Sequence, residues 1–241
     1  MTYDNLVKKE MLLWEKKMLK NPNMTNLLAK GFQNKVNSMV PNKVHHIITE
    51  GIKKTVKLVL FGSELMTNKP LKGAPLSLRE KKVLEKTDHY KTIAIASGWG
   101  TGAGGIMLGM ADFPILLSIK VKYLFEVASL YGFDVKNYKE RVFILYVFQL
   151  AFSSQQSRQK VYKIIENWEQ YAKSLPEKED FFDWRSFQQE YRDYIDFAKM
   201  LQLVPGIGAV VGAYANNKLM KQLANVAMQA YRLRYFDSPF R

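Results

Sequence analysis

Apolar residues recur at helical spacing along nearly the whole chain. In the first segment Val7, Met11, Trp14 and Met18 fall at i, i+4, i+7 and i+11, with Leu6 and Leu13 widening the stripe. Lys8, Lys9, Lys16, Lys17 and Lys20 occupy much of the rest, and Asn21-Pro22 ends the helix. A second helix is expected over about residues 24–39, and a third up to about Phe61 through Ile47, Ile48, Ile52, Val56, Val59 and Leu60. Gly62, Pro70, Gly73 and Pro75 mark a loop. Ser77 then opens a helix with Glu80 three residues on, the spacing at which the two side chains cap each other's backbone amides.

From Thr92 to Ile119 the only charge is Asp112, and the segment divides at Pro114. Proline loses nothing in a first helical turn, where its missing N–H would be unbonded anyway. Asp112 stands just before it, placed to cap that turn. The helix that follows is apolar on most sides, with a thin polar stripe of Ser118, Lys122, Glu126 and Ser129, and Gly132 is its natural stop. Further helices are expected over 137–152, 155–174 and 180–200, and a last one to about Phe236 follows the second glycine segment, 203–217. Only Thr92–Ala96 alternates as a strand would. The fold class is therefore all-α, a compact bundle of about eight to ten helices with 113–131 and 142–152 central and the two glycine-rich apolar segments in its core. Residues 1–75 form a basic N-terminal helical region and 76–241 a second helical region, read as one integrated unit.

The glycine segments admit three readings. Gly100-Thr101-Gly102-Ala103-Gly104-Gly105 matches GxGxxG, but a dinucleotide fold needs a strand before it and an unbroken helix after it. Pairs such as Gly98/Gly102, Gly105/Gly109 and Gly208/Gly212 are four apart, which on a helix makes a flat strip for close packing. Each glycine costs about 1 kcal/mol relative to alanine inside a helix, so packing has to offset it. Residues 93–111 and 200–217 also approach the length of a spanning helix, though their glycines and polar atoms favour shallow insertion over spanning.

Charge changes the picture more than bulk composition does. Residues 1–91 hold 18 Lys/Arg against 8 Asp/Glu, whereas 92–158 hold 6 against 4 and 159–241 hold 12 against 10. A basic excess confined to the first third attracts anionic surfaces such as phospholipid headgroups. Aromatics do not alternate with the basic residues, and no helix-turn-helix pattern supports nucleic acid as the partner. The chain has no cysteine, which excludes disulfides, thiolate metal sites and a cysteine nucleophile and fits a reducing compartment. His45, His46 and His89 form no HExxH, and there is no GxSxG elbow. No cofactor or metal is expected. An enzymatic alternative would use a carboxylate near the first glycine segment, with Asp112 the first to test and Asp134, Glu140 and Arg141 as neighbours; their structural readings are a helix cap and a Glu140–Arg141 ion pair.

One set of residues carries a resemblance. Gly102, Gly104, Gly105, Gly109, Asp112 and Pro114, then Tyr131-Gly132 with Asp134, then Glu140-Arg141, and later Pro205, Gly206, Gly208, Gly212, Asn216 and Tyr231-Arg232, resemble the EcsC family of bacterial proteins. The resemblance runs over about Thr87–Arg141 and Leu203–Arg232. The family is named for a gene beside an ABC-type exporter, which implies a cytoplasmic or membrane-proximal role, and it brings no established reaction or cofactor. Together with the basic first helix, it leads to an expected non-enzymatic accessory protein at the cytoplasmic face of a membrane. Its expected partner is an anionic membrane surface or a membrane protein, reached through Lys8, Lys9, Lys16 and Lys17 with Trp14 as interfacial anchor.

Overall fold

The computed structural model describes residues 2–20, 46, 50–51, 54, 57–59, 69–99, 105–153, 155–177 and 209–237; within the helices, side chains at 95–99, 105–114, 155–156 and 209–216 lie outside that description. Besides helical positions between 46 and 59, the described residues form seven helices whose bounds are described, and no strand: α1 (Tyr3–Leu19), α2 (Leu76–Trp99), α3 (Gly105–Leu130), α4 (Tyr138–Phe152), α5 (Gln155–Glu166), α6 (Trp168–Ser174) and α7 (Ala209–Asp237). The fold is all-α. Thr92–Ala96 belongs to α2. The expected helices at 24–39 and 180–200 lie outside the described residues, as do most positions of the one ending near Phe61.

Four helices line the core with alternating direction. Tyr131 reaches Glu80 and Tyr123 reaches Thr87, so α3 runs antiparallel to α2. Glu140 meets Tyr231 while the Ala151 carbonyl meets Gln222, so α7 runs antiparallel to α4. Arg232 joins Glu80 and ties the end of α7 to the start of α2. The start of α2, the end of α3, the start of α4 and the end of α7 therefore share one pole of the bundle. The end of α2 and the starts of α3 and α7, which carry the glycines, share the other. Helix α4 is the innermost element: every residue from Glu140 to Phe152 is buried. Its Asn137 cap accepts a 2.9 Å hydrogen bond from the Lys139 amide.

Helix α1 packs its stripe of Val7, Met11, Trp14 and Met18 into the same core. It spans the outside of α7 toward α5, where Trp14 sets an edge against Tyr162 at 5.5 Å and the Leu19 carbonyl accepts from Gln159. Helix α3 ends as expected. Gly132 takes φ +94°, its amide bonds the Ser129 carbonyl and the Phe133 amide bonds that of Ala128. A Cβ at Gly132 would stand 2.6 Å from Arg79 Nη1 and 3.1 Å from the Leu71 carbonyl oxygen, so the arginine would have to shift, and the positive φ already favours glycine there.

Four expectations are corrected. Helix α3 begins at Gly105, not at Pro114, so Asp112 is a position inside the helix and not its N-cap. Burial of a long apolar helix outweighs the single backbone bond, to Met110, that Pro114 removes. The helix α2 begins at Leu76, with the Leu78 and Arg79 amides bonded to the Pro75 carbonyl, and Glu80 points inward instead of back to Ser77. The stretch 155–174 is two helices broken at Asn167, whose side-chain amide donates to the Lys163 carbonyl. The polar stripe of α3 omitted Lys120, which is fully buried, while Lys122 faces solvent.

Candidate functional site

At the pole where α2, α3, α4 and α7 meet, two buried carboxylates organise the chain. Glu80 has no solvent exposure and takes a two-pronged ion pair from Arg232, Nε to Oε1 and Nη2 to Oε2, both at 2.7 Å. Tyr131 donates to Oε1 at 2.9 Å and Tyr3 of α1 donates to Oε2 at 2.6 Å. The remaining Arg232 nitrogen, Nη1, reaches Glu10 of α1 at 3.1 Å. One side-chain pair thus joins α2, α3, α7 and α1.

Glu140 forms the second node. Its Oε1 accepts from Tyr231 at 2.7 Å and its Oε2 from Arg234 at 2.6 Å. The Arg234 guanidinium lies over the rings of Phe133 and Phe143, at 3.8 and 4.5 Å from their centres. Tyr131 stacks on Tyr231 at 5.3 Å, so the two nodes touch through their tyrosines. Arg141 turns the other way and donates to the carbonyls of Lys136 at 2.7 Å and Val135 at 3.3 Å, which closes the loop before α4. The expected Glu140–Arg141 pair is therefore corrected: adjacent residues point about 100° apart on a helix, and Glu140 finds its cation on α7 instead.

The two carboxylates differ in how far their acceptor capacity is used. Each oxygen of Glu80 accepts from both Arg232 and a tyrosine, which uses its full acceptor capacity, whereas each oxygen of Glu140 accepts one bond, from Tyr231 or Arg234. Burial first, then the neighbouring charge of Glu80 or Glu140, raises the hydroxyls of Tyr131 and Tyr231 well above the ordinary tyrosine range, so both stay proton donors. Arg232 would be lowered by burial, but its bonds to Glu80 override this and raise it. Among the described residues no cluster of His, Asp or Glu is arranged to hold a metal.

A second polar group lies between α2 and α3, further from that pole. Thr87 and Tyr123 share a 2.8 Å hydrogen bond, and Tyr90 donates to Glu126 at 2.7 Å. Lys86 pairs with the other Glu126 oxygen at 2.8 Å.

Of the residues singled out in the sequence, Tyr131, Gly132, Glu140, Tyr231 and Arg232 come together at the polar pole. Asp134 is exposed and accepts from the Lys136 amide, holding a turn. Gly105, Gly109, Asp112 and Pro114 are helical positions of α3, and Gly212 and Asn216 of α7. Gly102, Gly104, Pro205, Gly206 and Gly208, and any contact between the glycine segments, lie outside the described residues. Lys8, Lys9, Lys16 and Lys17 are exposed. Trp14 is not: at 6% exposure it is a core residue and is withdrawn as an interfacial anchor. Sequence reasoning missed Glu80 and Arg234. The signal for Glu80 was its register, since it shares a helix face with Val83, Thr87 and Tyr90, all of them buried.

Comparison with known proteins adds the following. The profile of the EcsC protein family matches residues 5–236. The chain is 49% identical over 236 residues to Protein EcsC of Bacillus subtilis (strain 168), covering 97% of each. It is 29% identical over 164 residues to the uncharacterized protein YdbA of the same organism, covering 68% of this chain and 60% of that one. No solved structure matches.

Proposed function

The chain belongs to the EcsC family, and we propose that it serves as a non-enzymatic accessory factor held at the cytoplasmic face of an anionic membrane by the outer face of α1, beside a membrane protein such as an ABC-type exporter. The observation that carries this reading is the composition of that face. With the core stripe of α1 turned inward, Lys9, Lys16 and Lys20 stand within about 30° of the opposite direction, and the leucines flank them about 50–70° to either side. Leu6 and Leu13 lie on one flank and Leu12 and Leu19 on the other, with exposures of 47%, 60%, 46% and 43%. Lys8 and Lys17 add charge at the margins, and both are exposed. Apolar side chains set among lysines suit the headgroup layer, where leucines enter the acyl boundary and ammonium groups meet phosphates.

Each lysine near an anionic surface contributes about 1 kcal/mol, and salt screens that attraction. Such binding needs no spanning helix, and among the described residues none is long and apolar enough to span. The saturated Glu80 carboxylate, tied to three other helices, supports a scaffolding role over catalysis.

The test is co-sedimentation with vesicles of phosphatidylserine and phosphatidylcholine against pure phosphatidylcholine. Wild type is expected to bind only the anionic vesicles and to release in high salt. Leu6→Ser with Leu13→Ser, and Lys9→Glu with Lys16→Glu, should each weaken binding at least ten-fold while leaving the melting temperature nearly unchanged. Equal binding by both variants, or indifference of wild type to lipid charge, would end this reading.

A further inference from the structure

Lys120 is the one charged side chain at the centre of the bundle whose partner the described residues do not supply. It has no solvent exposure, and its Nζ makes no hydrogen bond among them. Every carboxylate described on the faces nearest to it is committed elsewhere: Glu126 to Lys86 and Tyr90, and Asp88 to Lys91. The position follows from register. Tyr123, three residues later on the same face of α3, meets α2 at Thr87 and Tyr90. Because the helices run antiparallel, Lys120 stands one turn further along α2, toward Ala94 and then Gly98, which carry the two smallest side-chain positions of that face. A long cationic side chain therefore stands opposite small residues of α2.

The surroundings are otherwise apolar. Leu116, Leu117, Val121 and Leu124 on α3 are all buried. An ammonium group moved from water into such a setting with no counter-charge is strongly disfavoured, and natural chains keep one there where something neutralises it. Burial alone pulls the Lys120 amine down from its usual 10.5 to about 8, so at neutral pH it remains mostly cationic and still lacks its anion.

We propose that Lys120 is the anchor of an interior ligand site, between α2 and α3 near the glycine-bearing pole, for an amphiphile with one anionic head on an apolar body. A single lysine, with no second cation beside it on α3's inward face, suits one carboxylate or phosphate. The leucines around it suit an alkyl chain. The site is independent of the outer face of α1 and is measured in solution without vesicles, so either can fail alone.

Purified protein freed of bound lipid is titrated calorimetrically with decanoate, decyl phosphate and decanol. At least one of the two anions is expected to bind, and decanol at least ten-fold more weakly. A carboxylate-only result identifies a fatty-acid ligand and a phosphate-only result a phospholipid-type head; both support the site. Lys120→Met should weaken the anion at least ten-fold while melting at the same or a higher temperature than wild type. Should that variant not fold, wild-type protein gives the same answer, because the bound anion should protect Lys120 from acetic anhydride as read by mass spectrometry. Absence of binding by both anions, equal binding to decanol or to the variant, or acetylation of Lys120 unaffected by ligand would overturn the proposal.

Discussion

At the residue scale, the polar pole depends on the pairing of Glu80 with Arg232 more than on either residue alone. Both side chains are almost wholly out of solvent and bonded at two points. A buried pair of this kind is worth little against a well-packed apolar pair, yet removing one partner leaves an uncompensated charge and costs about 3–5 kcal/mol. Arg232→Met is therefore expected to lower stability by about that amount, read as a shift in the urea midpoint. The double variant Glu80→Met with Arg232→Met should recover most of the loss. If the double variant is as unstable as the sum of its two single variants, the pair is not coupled as the geometry requires. None of this was visible in the sequence beyond Tyr231-Arg232 as a family motif. A residue's register shows which face it occupies, but the partner it meets 152 positions away depends on how helices dock.

At the element scale, helices were legible and their ends were less so. The periodicities of α1 and α4 located both to within a residue or two, and Gly132 ended α3 as its backbone freedom suggests. Local chemistry misled at Pro114, where a proline looked like a helix start, and at Ser77 it placed the start to within a residue but assigned Glu80 a capping role that it does not have. At Pro114 an extended apolar helix, which a local rule does not weigh, decided the boundary. Pro114 thus sits at the tenth position of a 26-residue helix, without the amide that would bond the Met110 carbonyl. Pro114→Ala restores that donor, and it is expected to raise the stability of the protein by about 1–3 kcal/mol. A fall in melting temperature would mean that α3 needs the proline for its path through the bundle. Trp14 shows the same limit from another side: tryptophan suits a membrane interface and a core alike, and only the docking of α1 on Tyr162 separates the two.

At the scale of the whole molecule, buried titratable groups couple stability to pH in two opposed ways. Lys120 is lowered to about 8 by burial against a usual 10.5. Between those values the unfolded chain holds a proton that the folded chain has lost, so stability rises with pH across that window. The full gain is on the order of 3 kcal/mol, from about 1.4 kcal/mol per pH unit of displacement. The buried tyrosines act in reverse. Burial raises Tyr90, Tyr123, Tyr131 and Tyr231 above their usual 10.0, with Glu126, Glu80 and Glu140 adding to the rise at Tyr90, Tyr131 and Tyr231 respectively. Their contribution is complete below pH 10, and it is lost above that as the unfolded chain gives up protons that the folded one retains. Protein free of bound amphiphile should therefore melt at increasing temperature from pH 8 toward 10 and at falling temperature beyond it. Lys120→Met removes the rising limb and leaves the alkaline fall, so the two melting curves, separated at pH 7, should converge near pH 10. Parallel curves from pH 7 to 10 would show that Lys120 is compensated inside the folded chain, and would remove the electrostatic reason for a ligand at that position.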